Sequence, residues 1–230
     1  MPIELYYWGI KGRAAVIRIL LKYLEVDFVE KNPKSPQEYA QWGQEAQQAK
    51  GLNFINLPFI VDGDFALSES QAIAYYICKK FGKTPLYGAN LEEEAQVQEL
   101  LGVIKDLATI IGKSVFNKDH KAALEMNFKE GSNVDKVLGE LSRFLGNKTF
   151  LLGDDFRYPD LDLASILSFI NMALLSAEVE NLLDKYENLK VFARRVLALP
   201  RIGEYVESEE FKKMPNLMPG MGAWLKDFDI

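Results

Sequence analysis

One cysteine and one histidine in 230 residues leave little room for the commonest side-chain chemistries. Cys78 alone cannot close an intramolecular disulfide, and no Cys-x-x-Cys pair exists. With His120 distant in sequence, an ordinary zinc site is excluded, and a Cys–His nucleophile finds no support. Cys78 lies in the helical run AIAYYICKK, where a small core residue is the simpler reading. His120, in NKDHKAA, reads as a solvated helix start. Clustered positive charge is also missing. The net charge is −6, the pI is near 5.1 and no Lys/Arg run occurs, which argues against nucleic acid or an anionic membrane as main partner. No run approaches the roughly 18 apolar residues that span a bilayer, and MPIELYYWGIKG, acidic at position 4, lacks the basic start of a secretory signal. A soluble, cytoplasmic protein is expected. Its chemistry must rely on tyrosine, carboxylates, backbone groups or a group that a ligand brings.

What is present is ordinary globular material, 48% hydrophobic and 26% charged, and long enough for one large or two small domains. IELYYW (3–8) reads as a strand, and GIKGRAAVIRILLKYLEV places Ala14, Ile17, Leu20, Leu21 and Leu24 at helical spacing. VDFVE (26–30) alternates as a second strand. Residues 31–53, polar, with five Gln and Trp42, suggest an irregular loop holding a short helix. PFIVD and FALS flank Asp62-Gly63-Asp64, a hairpin signal, and Ser70 to Phe81 reads as a helix. The order is βαβ, a loop, then ββα.

Beyond Phe81 the character changes. GKTPLYGAN reads as a linker, and no convincing strand follows it. Val97, Leu100, Leu101, Ile104, Ala108 and Ile111 mark one helix. VDKVLGELSRFLG, DLASILSFINMALL and NLKVFARRVLALP suggest others. The expected division is a mixed α/β domain over 1–82, a linker over 83–90, and an all-helical domain over 91–230.

Three local features carry chemical promise, each with a plainer alternative. Pro58 cannot donate to a ladder; a cis Leu57–Pro58 bond would present the neighbouring N–H and C=O to an extended peptide, whereas a trans proline would simply begin the strand. Glu69-Ser70 opens a helix; Ser70 reads as its N-cap, and the free amides there also suit a carboxylate. Tyr7-Trp8 ends the first strand ahead of Gly12-Arg13. Aromatic strand residues are usually core, yet a strand-end hydroxyl can donate to an anion, and donation to a thiolate lowers the thiol pKa.

Taken in order, these segments resemble a cytosolic glutathione transferase, most closely the mu class. The likeness runs through MPIELYYWGIKGRAAVIRILLKYL, GLNFINLPFI and LSESQAIAYYI, then GDDFRYPDLDLA, LKVFARRVLALPRIGEYV, SEEF and a late Trp224. It implies a thioredoxin-like first domain with cis-Pro58 and an all-helical second domain contributing the electrophile pocket. It makes Tyr7 the catalytic residue, hydrogen-bonded to glutathione sulfur, with Tyr6 as rival. The Leu57 backbone would pair with the cysteinyl unit, and Ser70 with Glu69 would hold the γ-glutamyl carboxylate. Trp8, Arg13, Trp42 and Asn56 would line the rest, and Asp106 would reach the partner subunit's ligand. Trp8, Ile10, Phe116 and the tail MPNLMPGMGAW would shape the electrophile pocket between the domains. Phe54 would anchor a homodimer. Glutathione is the implied co-substrate, with no metal.

The chain also departs from the mu pattern. Tyr39 and Ala46 stand where that loop carries Arg and Lys, so Lys50 or Gln47 is left to meet the glycyl carboxylate. Phe116 stands where some mu enzymes place an assisting tyrosine. Arg157 replaces the usual Ser/Thr cap before Asp160, leaving a capping box incomplete. Two rival functions share the resemblance: a glutathione-dependent isomerase of the sigma, prostaglandin type, and a non-catalytic ligandin- or crystallin-like binding protein.

Overall fold

Tyr6, Phe59 and Ser68 stand side by side across three strands, and that register organises the first half of the chain. The computed structural model describes residues 1–82, 84–218 and 224–225. A four-stranded sheet has the order β2-β1-β3-β4, with β1 Ile3–Tyr6, β2 Phe28–Lys31, β3 Phe59–Asp62 and β4 Phe65–Ser68. β1 runs parallel to β2 and antiparallel to β3, and β3–β4 is the hairpin that Asp-Gly predicts. Helices α1 (Ala15–Tyr23) and α3 (Ser70–Phe81) pack on each other.

Strand alternation sorts the side chains. Ile3, Leu5 and Ile60 are fully buried, while Tyr6, Phe59 and Val61 join Ala46, Leu52 and Ala66 in a separate cluster that includes Trp42. Trp42 belongs to α2 (Pro36–Lys50), a continuous helix of 15 residues. The irregular loop expected over 31–53 is therefore mostly helical. Its apolar stripe is faint, with only Gly43 and Ala46 buried, so periodicity misses it. Its termini are legible. The Ser35 hydroxyl accepts from the Glu38 amide, Glu38 accepts from Lys34 N–H, Pro36 sits in the first turn, and Gly51 closes the helix at φ +70°.

The described chain divides into two compact units, with a boundary unlike the simple cut expected. The first contains Met1–Pro85 and also Pro200–Met218; the second contains Leu86–Leu199 with Trp224 and Leu225. Two short helices, α9 (Ile202–Val206) and α10 (Glu209–Lys213), thus belong with the sheet, and α9 packs on α1. Arg201 ties this return to the end of α1 through Glu25 at 2.9 Å.

Among its described residues the second unit's regular structure is helical, apart from one isolated bridge between Phe150 and Gly153. It comprises α4 (Leu91–Val115), α5 (His120–Asn127), α6 (Asn133–Leu145), α7 (Tyr158–Ser176) and α8 (Glu187–Leu197). α7 corrects the sequence reading on one point: by length and composition alone it could cross a membrane. Leu161, Leu163, Ala164, Leu167 and Ile170 are fully buried, however, as in the central helix of a packed bundle. At its start, the Asp160 carboxylate accepts from the backbone amides of Arg157 (2.7 Å) and Leu151 (2.8 Å). The Arg157 side chain has no acceptor with which to complete the reciprocal cap. His120 does begin α5, but its ring lies parallel to Trp224 at 3.9 Å rather than simply in solvent.

Candidate active site

The register of the sheet assembles the site. Because Tyr6, Phe59 and Ser68 are neighbours, the residues just beyond them, Tyr7, Pro58 and Glu69, end three adjacent strands at one edge. Strands lie about 4.8 Å apart, so this row spans roughly 10 Å, the reach of an extended tripeptide.

At one end of the row is Tyr7, 7% exposed and packed with Ile10 and Ala14, with Trp8, Leu57 and Met218 against them. Its hydroxyl oxygen accepts a hydrogen bond from the Arg13 backbone amide at 3.0 Å. The short turn of 3-10 helix over Gly12–Ala14 aims that amide. Gly12 has φ +39°, and a Cβ there would stand 2.6 Å from the Tyr7 hydroxyl, so both the backbone and the close approach call for glycine. Tyr6 faces the other way. Its ring stacks on Phe59 at 4.2 Å, and its hydroxyl donates to Glu4 at 2.7 Å. Burial, then the bond to Glu4, pushes the Tyr6 pKa well above its ordinary value.

At the middle, Leu57–Pro58 is a cis peptide bond. The Leu57 amide, expected to face a ligand, donates to Asn56 Oδ1 at 3.0 Å, and Asn56 Nδ2 donates to Glu69 Oε1 at 2.9 Å. Asn56, Leu57 and Glu69 therefore form one hydrogen-bonded group. At the far end Ser70 is the first residue of α3, not its cap. Glu69 occupies the cap position at φ +71°, ψ +115°, and no side-chain hydrogen bond caps the helix. Such a backbone costs about 1–3 kcal/mol in a non-glycine residue and concentrates at functional sites. Ser70 itself is half-buried at the positive end of the helix dipole.

Other expected residues are placed differently. Trp8 lies near Tyr39 with ring centroids 5.8 Å apart, and the Tyr39 hydroxyl donates to the Ile55 carbonyl. Trp42 meets the Tyr6 ring edge-on at 5.6 Å. Lys50 pairs with Asp64 at 2.8 Å, and the Asp64 carboxylate is fully exposed, so solvent screens the pair. Gln47 and Arg13 are exposed. In the second unit, Asp106 is exposed on α4 and Phe116, also exposed, follows its last turn. Phe54 is 71% exposed. Cys78 is buried, and desolvation pushes its thiol up to about 12, which keeps it protonated and inert.

Sequence reasoning missed two details, the backbone bonds made by the tail it expected at the pocket and the role of a buried arginine. The tail meets the start of the site: Lys11 N–H donates to the Pro215 carbonyl at 2.7 Å and Gly12 N–H to that of Asn216 at 3.2 Å. Of the rest of the expected tail, residues 219–223 lie outside the described ones. The second omission is Arg18, whose charge in the apolar run AVIRILL was the available signal. It is fully buried and forked onto Glu30 at 2.5 and 3.1 Å.

Comparison with known proteins agrees with this architecture. The family models described as glutathione S-transferase N-terminal and C-terminal domains match residues 3–79 and 105–209. A glutathione S-transferase of Tyrophagus putrescentiae is 32% identical over 95% of this chain and 94% of its own. The Mu 2 enzyme of Pongo abelii is 31% identical over 97% and 99%. Among solved structures, the glutathione S-transferase Blo t 8 superposes with a TM-score of 0.77 at 22% identity, covering 94% of this chain and 97% of its own. Rat hPGDS in complex with a quinoline gives 0.73 at 21%, covering 90% and 96%. With both domain families matched in order and mu enzymes among the full-length relatives, the chain belongs to the cytosolic glutathione S-transferases and is most like their mu class.

Proposed function

We propose that this protein binds glutathione along the Tyr7–Pro58–Glu69 row and transfers its thiol to hydrophobic electrophiles. The observation that carries the reading is the Tyr7 hydroxyl accepting the Arg13 amide at 3.0 Å. A phenol has one proton to give and lone pairs to receive. Fixing the lone pair on a backbone donor orients the ring oxygen and leaves its proton for a ligand sulfur. Tyr6 cannot serve in the same way while its hydroxyl donates to Glu4.

Donation to a thiolate favours the charged form. A thiol of pKa about 8.5 is only a few per cent ionised at neutral pH, and each unit of depression is worth about 1.4 kcal/mol and nearly tenfold more nucleophile. The protein then needs no nucleophile of its own, consistent with an inert Cys78. The γ-glutamyl carboxylate would sit at Ser70 and the amide end of α3, and its amine at Glu69, while Asn56 and Leu57 exchange their mutual hydrogen bond for bonds to the peptide. Lys50 would leave Asp64 for the glycyl carboxylate. Ile10, Trp8 and Met218, beside Tyr7, offer apolar surface to an electrophile. Phe116, which cannot donate a hydrogen bond, would add none. Phe54 would insert into a second copy of the chain, making a homodimer in which Asp106 reaches the partner's ligand. Conjugation of hydrophobic electrophiles would give the protein a detoxifying role, and a cytoplasmic location belongs to the same proposal.

Conjugation of glutathione to chlorodinitrobenzene tests the reading. Turnover that falls at least tenfold in Tyr7→Phe with glutathione still bound supports it. Glutathione-dependent isomerisation without conjugation would favour the prostaglandin-type reaction, and binding without any turnover would favour a carrier.

A further inference from the structure

We propose that Arg18, held by Glu30, is a positioning residue that sets the Tyr7 hydroxyl in place for the thiolate. The inference rests on the assignment of Tyr7 as thiolate donor. Arg18 is 0% exposed in the middle of α1. Burying a charge costs several kcal/mol, and apolar replacement of a buried ion pair is often neutral or stabilising, so stability alone does not explain an arginine here.

Its contacts point to another role. Nε and one terminal nitrogen fork onto Glu30 of β2, at 2.5 and 3.1 Å. The remaining donors reach the main-chain carbonyls of Ile10 (2.8 Å), Lys11 (3.2 Å) and Trp8 (3.4 Å). These carbonyls all lie in the segment between Tyr7 and Gly12. From the other side Asn32, its amide turned to donate, reaches both Glu30 (3.1 Å) and the Tyr7 carbonyl (2.8 Å). The guanidinium carbon is 5.8 Å from the centre of the Tyr7 ring. One planar group thus fixes the segment that ends in the Arg13 amide, where clearance at Gly12 is already too small for a methyl. Only a guanidinium has five donors in a rigid fork; a lysine would keep the charge but not the geometry. Tyr205 on α9 also lies near the Arg18–Glu30 pair; burial drives its hydroxyl above the ordinary pKa, so it remains neutral throughout an assay.

The test uses the full-length protein in a cycle of Arg18→Lys, Tyr7→Phe and the double variant, reading the pKa of bound glutathione from its ultraviolet thiolate absorption. Arg18→Lys is expected to raise that pKa by about one unit, with a roughly tenfold loss of kcat at pH 6.5 and little change in glutathione KM. In the Tyr7→Phe background it is expected to add nothing. Glu30→Gln, which keeps the shape and removes the partner charge, is expected to act in the same direction and decides the matter if Arg18→Lys does not fold. An unchanged thiol pKa in whichever of these variants folds, or an equal rise with and without the Tyr7 hydroxyl, overturns the positioning role while leaving the Tyr7 assignment intact. A Tyr7→Phe protein with unaltered thiol pKa overturns both.

Discussion

The Arg13 backbone amide and the Tyr7 hydroxyl are hydrogen-bonded at 3.0 Å, with so little room at Gly12 that a Cβ there would stand 2.6 Å from the same oxygen. The geometry proposed for catalysis is therefore a property of a turn as much as of a side chain. Strand β1 delivers the ring, the turn delivers the donor, and glycine makes the approach possible.

Gly12→Ala should expose that dependence. Its Cβ would stand 2.6 Å from the hydroxyl at a φ of +39°, which L-residues rarely adopt. The expected result is a loss of about 1–3 kcal/mol of stability from backbone strain. A drop of at least tenfold in conjugation rate should exceed any loss of glutathione affinity. Denaturant melts and steady-state kinetics on one preparation check both; a fully active variant would mean that the hydroxyl tolerates displacement.

Ser70→Ala separates two roles that the sequence alone leaves merged. As an N-cap, Ser70 would contribute about 1 kcal/mol to stability. In the structure it is the first helical residue, and no side chain caps α3. Stability should therefore change by less than about 0.5 kcal/mol, as at an ordinary surface position. Glutathione affinity measured by calorimetry should fall at least about tenfold, the loss of one hydrogen bond to a charged group.

Much of this site could be read from residue order. Leu57-Pro58, Glu69-Ser70 and Tyr7 are placed by strand register, and register follows from the alternation and the Asp-Gly turn that the sequence displays. α2 was obscured because its buried face is only Gly43 and Ala46, so the period-3.6 signal never rises above its glutamines. The return of residues 200–218 to the first unit depends on long-range packing of α9 on α1, for which no local pattern exists. The Asn56–Leu57 bond was equally invisible, since a side chain that bonds its neighbour's amide differs from a ligand contact only in rotamer.

Asp160 makes stability depend on pH in an unusual direction. Burial raises its pKa to about 6, against two backbone amides that favour the carboxylate. With the folded value above the unfolded one, the folded state holds the extra proton. The stabilisation is present at low pH and is lost as pH rises to about 6 and beyond. Between pH 5 and 8 the wild type should lose about 1–2 kcal/mol from this group. Asp160→Asn should lack that slope while being less stable overall, because a single amide oxygen replaces two acceptors. Urea midpoints at the two pH values measure the difference.

Phe54→Ala tests the proposed dimer. An exposed phenylalanine on a connection between helix and strand is a natural interface anchor, and such anchors cost about 2 kcal/mol or more when truncated. Sedimentation should show dimers for the wild type and monomers, at micromolar concentration, for the variant. A monomeric wild type would remove the partner role of Asp106 as well.

The most direct measurement of the central claim is an ultraviolet titration of glutathione bound to the wild type and to Tyr7→Phe. The account predicts that the bound thiol ionises well below its free value in the wild type and returns toward about 8.5 when the hydroxyl is removed, with affinity little changed. Identical titrations in the two proteins would contradict it.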